Sequence, residues 1–244
     1  MINKIILSPP FSNIYPDIKN TTRISGTYTL NKRSGLYRVL TTLKKVENGW
    51  INNVGLRNPG IKKFRKSNTI ISISIQNHKE WYDFYDMLII KNRIYNIKGI
   101  EFNISCPNHN VSEVNYSIIK DAKELFNNVI IKLPHDISFK EIEKILDLEA
   151  DILHVSNTKK VNSGGLSGKN LVNKNIENIK FIKNESNKKV IAGGGIYDFE
   201  TFKKYYDVNS DYFSLSTALL NPLNSLKLIN QMSQYLKLNQ SHIS

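Results

Sequence analysis

Short apolar runs of strand length alternate along this chain with longer stretches of helical period, and the alternation recurs from end to end. The first run is Ile5–Leu7, stopped by Pro9 and Pro10. Thr21–Leu30 follows, then Ile70–Ile75, Ile100–Ser105, Val129–Leu133, Asp151–Val155, Val190–Ala192 and Tyr212–Ser216. Between them the apolar spacing predicts helices over Val39–Val46, Glu80–Tyr95, Ser112–Asn127, Ser138–Leu148, Asn175–Lys183, Asp198–Tyr206 and Pro222–Leu238. Ser112, Ser138 and Asp198 are candidate caps, and Glu141 stands where a capping box needs it. Asn48–Gly60 and Ser163–Gly168 are rich in Gly, Asn or Ser and read as loops.

Strands that are apolar almost throughout are strands buried on both faces, as in a parallel sheet covered by helices. Eight of them, most followed by a helix, predict an α/β protein with a closed (β/α)8 TIM barrel. A doubly wound sheet fits less well, because no GxGxxG follows the first strand. No linker, repeat or low-complexity segment divides residues 1–244, so one barrel domain is expected.

Composition narrows the function. The chain is 40% hydrophobic with 12 Tyr and 10 Phe, which is ample for a core. No apolar run approaches the roughly 20 residues of a membrane span, and Pro9 and Pro10 interrupt any signal-like start; a cytoplasmic protein is expected. A single cysteine excludes an internal disulfide and CxxC motifs, and the five histidines lack metal-ligand spacing, so no metal is expected. The net charge of +13 is spread along a chain rich in Lys, Asn and Ile. Its one dense run, Lys62–Lys66, reads as a solvated loop, with a nucleic-acid contact as the alternative.

The strand Ile100–Ser105 runs into Cys106, Pro107 and Asn108. Pro107 cannot donate to a sheet, so the only cysteine sits at the carboxyl end of a strand, among Asn103, Ser105 and Asn108. A lone cysteine is ordinarily a small buried apolar residue. Several polar side chains at one strand end, however, are awkward to bury without a ligand, and the carboxyl end is where such barrels do chemistry. The other strand ends contribute Asn52, Gly55, Leu56 and Asn58, then Lys132, Asn157, Thr158, Gly194, Gly195, Ser216 and Thr217. Gly194 and Gly195 at the seventh strand end, shortly before a helix and beside Ser216 and Thr217 of the eighth, suit a phosphate-binding turn.

The motifs VGLRNPG (54–60), NISCPN (103–108), IIKL (130–133), SNT (156–158), GGLSG (164–168), GGGI (193–196) and STAL (216–219) resemble, in order and spacing, those of dihydroorotate dehydrogenases. The resemblance implies bound FMN and oxidation of dihydroorotate to orotate in pyrimidine biosynthesis. It implies Cys106 as catalytic base, and a substrate set of Asn52, Gly55, Leu56, Asn103, Asn108, Asn157 and Thr158. It implies Ser8, Lys132, Gly168, Gly194, Gly195, Ser216 and Thr217 around FMN, with Lys132 beside the isoalloxazine ring. A cysteine in this motif is similar to the class 1 branch, whose members use fumarate or a partner subunit carrying an iron–sulfur cluster and FAD. A homodimer is also implied.

The chain departs from that pattern in three places. Gly26 stands where the family usually has a lysine touching flavin and substrate; Arg23, Lys32, Lys159 and Lys160 are candidate substitutes. The segments before the second strand and after Cys106 are short, and Ser216 replaces a common glycine. Two alternatives share the barrel and the flavin: a tRNA dihydrouridine synthase-like enzyme and a non-catalytic FMN-binding relative.

Overall fold

The computed structural model describes residues 2–35, 41–53, 55–75, 77–104 and 114–240. Cys106, Asn108 and Ser112 lie outside the described residues. Eight parallel strands close into a barrel: β1 (Ile5–Leu7), β2 (Thr21–Tyr28), β5 (Ile70–Ile73), β6 (Gly99–Asn103), β7 (Val129–Lys132), β8 (Ile152–Val155), β11 (Lys189–Gly193) and β12 (Tyr212–Leu215), with β12 pairing back onto β1. These are the eight strands predicted from the apolar runs.

Alternation along each strand separates two cores. Leu7, Ile71, Phe102, Ile131, Leu153 and Phe213 face outward into the layer beneath the helices. Ile6, Ile24, Ile70, Ile130, Ile152 and Ile191 face inward and plug the amino-terminal half of the barrel. Two residues further along each strand the same inward face becomes polar or bare: Ser8, Gly26, Ser72, Lys132, His154 and Gly193. The barrel is therefore packed with hydrocarbon at one end and lined with polar groups at the other. This gradient positions the site.

The helices are α1 (Glu80–Tyr95), α2 (Tyr116–Leu125), α3 (Phe139–Leu146), α4 (Val172–Glu185), α5 (Phe199–Tyr206) and α6 (Pro222–Gln240). α1 buries Trp81, Phe84 and Leu88, and Trp81 Nε1 donates to Asp121 Oδ2 of α2 at 2.8 Å. α3 begins with the predicted capping box of Ser138 and Glu141, and Asp198 caps α5. α2 starts later than the predicted Ser112, because Asn115 caps it by accepting from the Ile118 N–H. No described helix is long and apolar enough to cross a membrane.

Three local expectations are corrected. Lys44–Val46, predicted helical, is strand β3; Gly49–Asn52, predicted loop, is β4; and the glycine loop at 163–168 contains β10 (Gly164–Gly168), paired with β9 (Lys159–Val161). Together they form an antiparallel sheet in the order β3-β4-β10-β9. Each outer strand folds back on its neighbour through a two-residue turn, with Val46 opposite Gly49 and Val161 opposite Gly164. The central pairing joins β4 to β10, segments far apart in the chain, so no local periodicity announces it. Both hairpins emerge from carboxyl ends of barrel strands, which puts this sheet on the same side as the polar lining.

The basic run at 62–66 is tied into the fold. Phe64 is buried, Arg65 donates to the carbonyls of Lys62 and Phe64, and Lys66 Nζ donates to the carbonyl of Asn13 at 2.8 Å.

Candidate active site at the carboxyl rim of the barrel

One sector of the rim is built by β6, β7 and β8. Asn103 and Lys132 are register neighbours, as are Lys132 and His154. Asn103 Nδ2 donates to Thr27 Oγ1 at 3.0 Å, and Thr27 Oγ1 lies 3.1 Å from Ser72 Oγ. Asn157, just past β8, donates to the Leu133 carbonyl at 3.3 Å. Lys132 is 9% exposed and makes no hydrogen bond or ion pair with a described residue. Burial lowers its pKa against the opposing pull of Glu101. A buried ammonium with no ion pair in direct contact is costly, and it is the group an anionic or electron-accepting ligand would satisfy.

Beneath Lys132 lies a pair that sequence reasoning passed over. Glu101 and His154 are fully buried, with His154 Nδ1 2.6 Å from Glu101 Oε2. Burial alone would raise the Glu101 carboxyl, but His154, Lys132 and a hydrogen bond from Ser72 outweigh it and hold it below its usual range. Burial pushes the His154 imidazole down. The arrangement that satisfies both directions is a carboxylate accepting from the Nδ1–H of a neutral imidazole. Polar residues at inward positions of two apolar strands were the available signal.

The adjoining sector is built by β11, β12 and β1. Gly194 and Gly195 turn the chain at φ +79° and +82°. A Cβ on Gly195 would lie 2.7 Å from the Gly168 carbonyl oxygen, so this turn and the end of β10 meet backbone to backbone. Asn175 Nδ2 donates to the Gly193 carbonyl at 2.9 Å and Tyr205 OH to that of Gly194 at 2.8 Å, which holds the turn from below. Asn175 Oδ1 also lies 3.2 Å from His135 Nδ1. Ser8 Oγ is 2.6 Å from Ser214 Oγ, Ser216 Oγ donates to the Pro9 carbonyl, and Thr217 Oγ1 is 2.6 Å from Tyr197 OH. Asn175, Tyr205 and Tyr197 were not singled out from the sequence, where each reads as an ordinary helix or loop residue.

The fold thus brings together Ser8, Gly168, Gly194, Gly195, Ser216 and Thr217 in one sector, with Asn103, Lys132 and Asn157 in the next. Asn52 pairs with Gly165 on the rim sheet, against which Thr158 packs. Leu56 offers its carbonyl to Asn58 Nδ2, and Gly55 is exposed with open space around it. Neither is drawn toward Lys132 by a described contact. Asn58 is structural: its side chain serves Thr29, Leu56 and Gly60 and fastens the loop to β2. Among the described residues no cluster of His, Cys, Asp and Glu could hold a metal ion.

Gly26 admits no side chain. Its φ is +134°, and a Cβ would sit 2.3 Å from the Ser72 carbonyl oxygen of the neighbouring strand. Of the proposed substitutes, Arg23 is committed to Asp17 at 2.7 Å and to the Ser12 carbonyl. Lys32, Lys159 and Lys160 are exposed. Lys132 is the buried cation of this interior. Replacing Gly26 with Ala, or with the lysine usual in similar proteins, is expected to destabilise the fold by about 1–3 kcal/mol or more. Urea denaturation checks this; an unchanged midpoint would contradict the packing described.

A closed parallel barrel with a glycine turn after β11, and beside it a buried lysine that forms no ion pair with a described residue, defines the class of (β/α)8-barrel enzymes with the site at the carboxyl rim. The family model described as Dihydroorotate dehydrogenase matches residues 20–201, and the chain belongs to that family. Relatives named "Dihydroorotate dehydrogenase B (NAD(+)), catalytic subunit" include one from Brachyspira hyodysenteriae, 26% identical over 245 residues, covering 86% of this chain and 80% of the relative. Another, from Sulfolobus acidocaldarius, is 29% identical over 211 residues, covering 75% and 70%. A solved structure of DHODH from Eimeria tenella, in complex with ferulenol, superposes with a TM-score of 0.72 at 16% identity, over 98% of this chain and 82% of that one, which shows the shared fold.

Proposed function

We propose that this chain, as a single barrel domain, oxidises dihydroorotate to orotate in pyrimidine biosynthesis, with FMN held at the carboxyl rim and Cys106 as the base. The observation that carries the reading is Lys132, nine-tenths buried at the rim and forming no hydrogen bond or ion pair with a described residue. Gly168, Gly194, Gly195, Ser216, Thr217 and Ser8 would hold the ribityl phosphate and the ring edge; the backbone approach at Gly168 and Gly195 supports this. FMN, when bound, supplies a two-electron acceptor for hydride.

The chain's own residues do the rest. Cys106 as thiolate takes the proton from the ring carbon next to the one that loses hydride. Asn103, Asn108, Asn157 and Asn52, with Thr158 and the backbone at Gly55 and Leu56, would bind the substrate. Asparagine offers a donor and an acceptor from one neutral group, which suits a ring with amide edges on several sides. The Lys132 ammonium stabilises negative charge that appears at the rim during oxidation. The relatives' printed names, a catalytic subunit of an NAD(+)-dependent enzyme, support an electron-transferring partner subunit with an iron–sulfur cluster and FAD over fumarate as final acceptor.

Anaerobic mixing of the FMN-loaded protein with dihydroorotate, followed by flavin absorbance, tests this. Rapid bleaching is expected. A yellow protein that stays yellow would reject dihydroorotate as substrate, and a chain that cannot be loaded with FMN would reject the cofactor.

A further inference from the structure

The buried pair beneath Lys132 is unusual for a structural device. Glu101 Oε1 and His154 Nε2 are enclosed and make no hydrogen bond to a described residue. The carboxylate is held chiefly through the 2.6 Å contact between His154 Nδ1 and Glu101 Oε2, with the Ser72 hydroxyl as a lesser second donor. Polar networks that serve stability alone are ordinarily satisfied throughout. What this pair does have is position. Glu101 and His154 stand on alternate strands, β6 and β8, with β7 and its Lys132 between them.

We propose that His154 is a positioning residue that acts through Glu101 to keep Lys132 an ammonium at the rim. The chemistry follows from burial. A lysine taken out of water sheds its proton unless a negative charge lies close. Glu101 is the acidic group that faces Lys132 among the described residues: it stands on the adjoining strand, two positions before Asn103, the register neighbour of Lys132. A buried carboxylate in turn takes up a proton unless a donor or a cation holds it ionised. His154 is the larger such donor, from its Nδ1–H while remaining neutral, and the Ser72 hydroxyl is the lesser one. One anion, one cation and neutral donors then make a balanced set. Were the imidazole to carry the charge instead, it would compete with Lys132 for the same carboxylate. The consequence for a bound flavin rests on the function proposed above; the charge on Lys132 does not.

The test uses the full chain with 13C-labelled lysine, the Lys132 signal being assigned by its loss in Lys132→Met. In the flavin-free protein, Glu101→Gln and His154→Leu are each expected to lower the pH at which Lys132 loses its proton by about one unit or more, a tenfold change. His154→Asn, which restores a neutral donor near the Nδ1 position, is expected to return most of that shift. Equal Lys132 titrations in wild type, Glu101→Gln and His154→Leu would overturn the proposal. Should those variants not fold, 15N spectra of wild-type His154 decide it: a neutral Nδ1–H tautomer at pH 7 is expected, and an imidazolium or an Nε2–H tautomer overturns it. With FMN loaded, Glu101→Gln should also take up more protons on dithionite reduction, read as a steeper fall of midpoint potential with pH. If these results hold while dihydroorotate fails to bleach the flavin, the substrate assignment falls and the role of His154 stands.

Discussion

Replacing Lys132 with Met should leave a folded, flavin-binding protein that dihydroorotate reduces roughly 10²–10³ times more slowly, the loss typical of removing one preorganised group that faces developing charge. Methionine nearly matches the lysine stem in length and shape, so the packing between β6 and β8 is retained. The substitution also removes the buried cation that faces the Glu101 carboxylate. Stability should therefore fall at neutral pH, because the Glu101 carboxylate stays buried without a facing cation. Glu101 keeps the His154 contact at 2.6 Å but loses the cation that faces it. Its carboxyl pKa should rise, so that stability is lost at a higher pH on acidification than in the wild type. Stopped-flow bleaching measures the first effect and urea midpoints across pH the second. A reduction rate unchanged in Lys132→Met would remove Lys132 from the chemistry.

The second large effect is expected at Cys106. Cys106→Ala should bind FMN and turn yellow like the wild type, yet undergo reduction by dihydroorotate about 10²–10⁴ times more slowly, the range for loss of a general base. The wild-type rate should climb with pH as the thiol ionises, toward a plateau above its ordinary value of about 8.5. The alanine variant should lose that climb. Its midpoint of reduction by dithionite should stay at the wild-type value, because the thiolate acts on substrate rather than on the flavin. A Cys106→Ala protein reduced at the wild-type rate, with the same pH profile, would assign the proton to another base.

The barrel was legible because its grammar is local. A strand buried on both faces writes itself as consecutive apolar residues, and a helix laid over it writes a 3.6-residue period. Both survive in a sequence read without partners. All eight strands, the Ser138–Glu141 capping box and the Asp198 cap were readable on those terms. The rim sheet was not. Lys44–Val46 and Lys159–Val161 are short, exposed and basic, and β4 and β10 exist as strands because they meet each other across the mouth of the barrel. Nothing within either segment records that meeting.

The site divides along the same line. The sequence by itself determined which residues stand at strand ends, since a strand's apolar run stops where the polar rim starts. That is why Asn103, Lys132, Gly194, Gly195, Ser216 and Thr217 could be named in advance. Only the tertiary structure decided which of them meet, that Asn58 serves its own loop, and that Gly26 has no room for a side chain beside Ser72. It also brought Glu101 to His154, 53 residues apart in the chain. The physical reason is range: periodicity and capping act over a few residues, whereas the charge on a buried lysine is set by whatever closure of the barrel brings beside it.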